Sequence, residues 1–167
     1  MKGGIEKSFL PGRAKSDQLN KEDLRAVEAS DMTREEILAM SGTDLDAQIA
    51  KLLGKKVYQD KHGRWRVGTA FRSLDKTPPH YSRDISDAWP VVDKMFELGY
   101  AMSLLHLSSE FYPEYWYCDF RPKDSNKPPE YEWVDHQMTA PVAISKAALI
   151  ARLDEIKRLE GKEDVLQ

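Results

Sequence analysis

Residues 84–120 read DISDAWPVVDKMFELGYAMSLLHLSSEFYPEYWYCDF, and the fold class turns on them. Ile85, Ala88, Trp89, Val92, Met95 and Phe96 recur at helical spacing, which predicts an amphipathic helix over 84–98 with Gly99 as its stop. Pro90 has no N–H to donate, so either the helix proper begins near Asp87 or it kinks. The next residues change period. Stretches 100–108 and 115–120 read as an antiparallel strand pair. Trp116, Cys118 and Phe120 alternate with Tyr115, Tyr117 and Asp119 across its two faces. A helix feeding straight into a strand pair fits an α+β chain.

The reading extends in both directions. Thr33 with Glu36 forms a capping-box pattern before Ile37, Leu38 and Met40. After a break at Ser41 and Gly42, Thr43 or Asp44 is expected to cap a second helix. Its apolar face is Leu45, Ile49, Leu52 and Leu53, and Gly54 ends it. Residues 55–59 and 64–71 alternate around the turn 60–63, a hairpin with Tyr58, Trp65 and Val67 inward. Residues 72–83, with Pro78 and Pro79, are expected as a loop, and 121–130 as a turn or extended excursion. A further strand is expected over 131–138. A last helix runs to about residue 159, with Pro141 in its first turn behind Thr139. Leu149, Ile150, Leu153 and Ile156 face inward in that helix, and Asp154 and Arg158 lie on its outer face. The expected fold class is α+β, a mostly antiparallel sheet covered by helices in a single domain. Its boundaries are a charge-balanced N-terminal extension over 1–31 with one short helix near 20–29, the domain over 32–160, and a polar tail over 161–167.

Composition narrows the function classes. The chain has 167 residues and a formal net charge of −3, which does not suggest a general nucleic-acid-binding surface. Cys118 is the single cysteine, so no internal disulfide and no multi-cysteine zinc site can form. Because Cys118 shares a strand face with Trp116 and Phe120, it reads as a buried structural thiol rather than a nucleophile. His62, His80, His106 and His136 lack metal-ligand spacing, and no cofactor is expected. No apolar run reaches the length of a membrane span. Walker-type and dinucleotide-type glycine loops are absent.

Four segments together carry a family resemblance. They are residues 32–40 (MTREEILAM), 45–50 (LDAQIA), 81–89 (YSRDISDAW) with 91–95 (VVDKM), and 139–149 (TAPVAISKAAL). In this order they resemble the phage ABA-sandwich domain proteins, small proteins encoded by phages and prophages, over residues 32–153. The resemblance implies an α/β/α sandwich and a protein acting in the cytoplasm of a bacterial host. No catalytic or cofactor residue is defined for that family, so none carries over. Pro90 and Arg83 depart from its usual residues, and 1–31 lies upstream of its usual start.

The chemistry-bearing residues concentrate in the middle of the chain. Arg64, Trp65 and Arg66 alternate on one candidate strand. Tyr81, Arg83 and Asp84 precede a helix N-terminus, next to His80. Tyr115, Tyr117 and Arg121 crowd the second hairpin with Tyr112, Trp116 and Lys123. Aromatic rings, guanidinium groups and a helix N-terminus together make a pocket for a nucleobase and its phosphate. The ligand-binding set is therefore Arg64, Trp65, Arg66, Tyr81, Arg83, Asp84, Tyr115, Tyr117 and Arg121. With the resemblance, it points to a phage-derived, non-enzymatic binding protein that sequesters a small anionic host ligand, such as a nucleotide immune signal. A homo-oligomer is expected, because such pockets often form between subunits. The alternative is a protein-interaction module that binds and inhibits or redirects a host protein, since Tyr, Trp and Arg also dominate protein interfaces. A nucleotide hydrolase using His80 with Asp84, or His106 with Asp119, has no supporting spacing.

Overall fold

The computed structural model describes residues 32–68, 76–110, 112–125 and 139–163. The expected helix near 20–29, the strand over 131–138, the end of the first hairpin at 69–71 and the last four residues lie outside the described residues. Within them the element order is α1 (Arg34–Ala39), α2 (Gly42–Leu52), β1 (Val57–Gln59), β2 (Trp65–Val67), α3 (Ile85–Glu97), β3 (Tyr100–Ser109), β4 (Tyr112–Pro122) and α4 (Ala140–Glu163). This is the expected α+β class, built from four helices and two antiparallel strand pairs, β1–β2 and β3–β4.

Helix α1 forms because Thr33 and Glu36 make both bonds of the capping box. The Thr33 hydroxyl accepts from the Glu36 amide at 3.2 Å, and the Glu36 carboxylate accepts from the Thr33 amide at 2.7 Å. Only Met40 and Ser41 separate α1 from α2. The chain reverses at Gly42, whose φ of +55° a side chain would strain. The α2 cap is therefore Ser41, not Thr43 or Asp44, and among the described residues its side chain makes no capping bond.

The first hairpin is shorter than its alternating pattern suggests. Val57 pairs with Val67, Tyr58 with Arg66 and Gln59 with Trp65. Val57, Trp65 and Val67 thus share one face, and Tyr58 lies opposite them at the surface. The inward position on β1 belongs to Val57, which packs against the core with Val67. One residue of register moves every side chain to the other face.

Helix α3 starts at Ile85, where the Asp84 carboxylate accepts the Ser86 amide at 2.8 Å, and it runs through Pro90. It does not wait for Asp87. Its buried stripe is Ala88, Val91, Val92 and Met95. Ile85, Trp89 and Phe96, expected inward, are 41%, 48% and 43% exposed. The apolar arc of α3 is wider than the face that meets the core, so one edge of it stays in solvent.

The β3–β4 hairpin follows at once. Both strands outrun their expected ends, and β4 takes in Pro113 and Pro122. Proline is tolerated near strand ends, where a ladder N–H is dispensable. The register pairs Met102 with Phe120, Leu104 with Cys118 and His106 with Trp116 on the core face. Leu105 faces Tyr117 and Leu107 faces Tyr115 on the other. Helix α3 packs against β3 and α4 against β4, and the two helices also pack together.

Helix α4 is the centre of the fold, touching α1, α2, α3 and β4. Surrounded in this way, it is buried nearly all round from Ala143 to Ile150 rather than along one stripe. Two of its interior polar side chains reach backbone acceptors, whereas the buried Arg152 Nε has no hydrogen-bond partner among the described residues. The Ser145 hydroxyl donates to the Tyr81 carbonyl at 3.2 Å, and the Lys146 ammonium donates to the Leu38 carbonyl. The helix continues four residues past its expected end, to Glu163. Asp154 and Arg158 are exposed, as expected of an outer face.

Candidate ligand pocket

A cleft of about 300 Å³ opens where α2 begins, between the β1–β2 turn and the loop that leads into α3. Thr43 and Asp44 line it from the first turn of α2, Arg64 and Trp65 from the hairpin, and Pro78 and His80 from the loop. The hairpin is aimed there by its turn. Gly63, at φ +72°, lets the chain reverse, and Asp60 gathers the turn around its carboxylate. Asp60 accepts from the His62 amide at 2.8 Å, the Arg64 amide at 3.1 Å, and the Nε atoms of Arg64 and Arg66 at 3.1 Å each. Desolvation raises the Asp60 pKa, but the backbone donors and the two arginines outweigh it. The carboxyl therefore titrates well below the usual range.

The Trp65 ring is held at its edge and over one face. Its Nε1 donates to Asp44 Oδ1 at 2.6 Å, and the Lys51 ammonium stands over the ring 5.8 Å from its centroid.

Asp46 also lines the cleft, and its side chain is 1% exposed. Its Oδ1 accepts the Ser82 amide at 2.7 Å, which pins the 80–84 segment to α2. Its Oδ2 has no hydrogen-bond partner among the described residues. The nearest side-chain nitrogens are those of Arg83 at 3.8 Å and His80 at 3.9 Å, both too far for a hydrogen bond. These two side chains touch each other and are each more than half exposed. The cleft is thus acidic at its floor and basic at its rim.

Arg64 and Trp65, both read from sequence as ligand-binding, line the cleft, and Arg83 stands over its floor. Arg66 pairs with Tyr58 on the opposite hairpin face and is bound to Asp60. Tyr81 is a core residue, 1% exposed, whose hydroxyl accepts from the Lys55 ammonium at 2.7 Å. The Asp84 carboxylate is engaged as the α3 cap. Tyr115, Tyr117 and Arg121 lie together on the outer face of β3–β4, on a different sheet from the cleft. There Arg121 donates to Asp119 at 2.5 Å and to Ser103 at 3.2 Å.

Asp44 and Asp46 were missed by the sequence reading. The signal for Asp46 was present, because it sits three and four residues before Ile49 and Ala50, on the buried side of α2. An acid on an apolar stripe marks either a partner from elsewhere or a site.

Cys118 is buried in the core as expected. Desolvation, helped by the neighbouring Asp119 charge, pushes its thiol up to about 12 and leaves it unreactive. Among the described residues no group of His, Cys, Asp or Glu is arranged to hold a metal ion. No described helix is long and apolar enough to cross a membrane.

Helices packed on antiparallel strand pairs, with a cleft at one helix start, define a small α+β sandwich domain. The chain belongs to the phage ABA sandwich domain family, whose model matches residues 49–149. The match covers the last two of the four quoted segments and the end of the second, while 32–40 lies upstream of it. No curated protein and no solved structure matches the chain.

Proposed function

We propose that this phage-family domain is a non-enzymatic binding protein that sequesters a small nucleotide-type anion in the cleft at the start of α2. One observation carries this reading: the buried Asp46 carboxylate, one oxygen of which accepts no hydrogen bond among the described residues, forms the floor of a cleft walled by a fixed indole. A buried polar atom without a partner costs about 1–3 kcal/mol, and a ligand donor recovers it. The rim suits phosphate, because Arg64, Arg83 and His80 gather near an α2 N-terminus whose amides receive no side-chain cap. Calorimetric titration with mononucleotides, cyclic nucleotides and ADP-ribose derivatives tests it. Saturable binding, weakened by Trp65→Ala, is expected, and no heat across the panel overturns the reading.

The exposed apolar ridge of Ile85, Trp89 and Phe96, with Leu105 and Leu107 on β3, favours a second reading, a host-protein contact. Its mark is a specific partner retained by the wild-type chain and lost on Trp89→Asp.

A further inference from the structure

We propose that the cleft selects guanine among the bases, with the Asp46 carboxylate reading its N–H edge and the Trp65 indole stacking on its face. The inference rests on the nucleotide reading above and narrows it to one base. Asp46 Oδ2 is buried, lies at the cleft and accepts no hydrogen bond among the described residues. The Arg83 and His80 nitrogens stand 3.8 and 3.9 Å away on side chains more than half exposed, so they are able to swing off it. Asp44 adds a second carboxylate to the lining. An ionised carboxylate only accepts, so a base must present donors to this floor.

The bases differ sharply in that respect. Guanine carries two adjacent donors, N1–H and the 2-amino group, one for Oδ2 and one for the lone pair of Oδ1 that the Ser82 amide does not use. Adenine sets its bare N1 beside its amino group, and cytosine its bare N3, so each would aim a lone pair at a carboxylate. Uracil flanks its single N–H with two carbonyl oxygens and does the same. The indole fixed by Asp44 and Lys51 offers a flat apolar wall for any base, so stacking supplies affinity and Asp46 supplies the choice. Displacing Arg83 from Asp46 frees a guanidinium at the rim for the phosphate of the ligand.

Titration of the full chain with GMP, AMP, 1-methyl-GMP and ribose 5-phosphate tests this. GMP is expected to bind ten- to hundredfold more tightly than AMP or 1-methyl-GMP, roughly the discrimination of one good bidentate base contact. Asp46→Asn keeps an oxygen for the Ser82 amide and should abolish the preference for GMP over AMP. Equal affinity for GMP and AMP overturns the base choice while leaving a nucleotide site standing. Undiminished GMP preference in Asp46→Asn also overturns it. Failure of every nucleotide to bind instead overturns the reading on which it rests. The wild-type comparison of GMP with 1-methyl-GMP does not depend on any variant folding.

Discussion

Replacing Asp46 by Asn retains the oxygen that accepts the Ser82 amide and removes a buried charge. Two opposing effects follow. The variant loses the attraction of Arg83 and His80, but both are more than half exposed and beyond hydrogen-bond distance. Pairs of that kind contribute roughly 0–1 kcal/mol. It also exchanges a buried, unpartnered carboxylate oxygen for a neutral NH2, which relieves the desolvation of a charge but leaves donors to satisfy. The two effects are of similar size, so Asp46→Asn should change stability by no more than about 1 kcal/mol in either direction. Asp46→Ala is different. It leaves the Ser82 amide, bonded at 2.7 Å in the wild type, without its acceptor in a buried position, and should make this variant about 1–3 kcal/mol less stable than Asp46→Asn. Urea unfolding separates the two through the midpoint at constant slope. A loss of 2 kcal/mol or more in Asp46→Asn, matching Asp46→Ala, would refute the reasoning. It would mean that the charge is a structural partner of Arg83 and His80, and that no ligand is needed to explain it.

Other parts of the chain give independent tests. Thr33→Ala removes the hydroxyl that accepts the Glu36 amide at the start of α1 and should lower stability by about 1 kcal/mol in the same urea assay; no loss would mean the cap is ornamental in solution. Gly42→Ala meets no clash, since nothing lies within 4 Å of the added carbon, yet it forces a side chain to φ +55°. A cost of about 1–2 kcal/mol is expected, and a stabilised variant would contradict the left-handed turn between α1 and α2. The Cys118 thiol, raised by burial and then by Asp119, stays protonated to about 12 in the folded chain, whereas an unfolded thiol ionises near about 8.5. Its contribution is fully present below about pH 8.5 and falls above it by up to about 1.4 kcal/mol per pH unit. Tyr100, raised by burial and by Glu155, adds to the decline at higher pH. Urea midpoints between pH 8 and 10 should therefore fall less steeply in Cys118→Ala than in the wild type, and identical slopes would place the thiol in contact with water.

What could be read from the chain was local. Thr33 and Glu36 lie three residues apart and find each other without help from the rest of the fold, as both of their bonds show. The helix ending before Gly99 and the alternation around Cys118 were equally legible. Periodicity could not tell which part of a wide apolar arc faces the core. Trp89 and Phe96 were assigned inward and lie outward, because α4 and β3 meet the Val91 side of the helix. In the first hairpin one residue of register exchanged Val57 for Tyr58, and only the pairing with Val67 decides it. The cleft was half visible. Arg64 and Trp65 announced themselves as a neighbouring basic and aromatic pair. Asp46 did not, since its role depends on Ser82, 36 residues away, and on the loop that carries His80 and Arg83. Tyr81 misled for the same reason in reverse, because Lys55, 26 residues upstream, covers its hydroxyl and places it in the core.

The central claim is that a ligand enters the cleft beside Trp65. Tryptophan fluorescence during a GMP titration, in the wild type and in Trp65→Phe, tests it most directly. The account predicts a saturable change in the wild type that disappears in Trp65→Phe. A flat titration in the wild type, or a change of the same size in the variant, would contradict it.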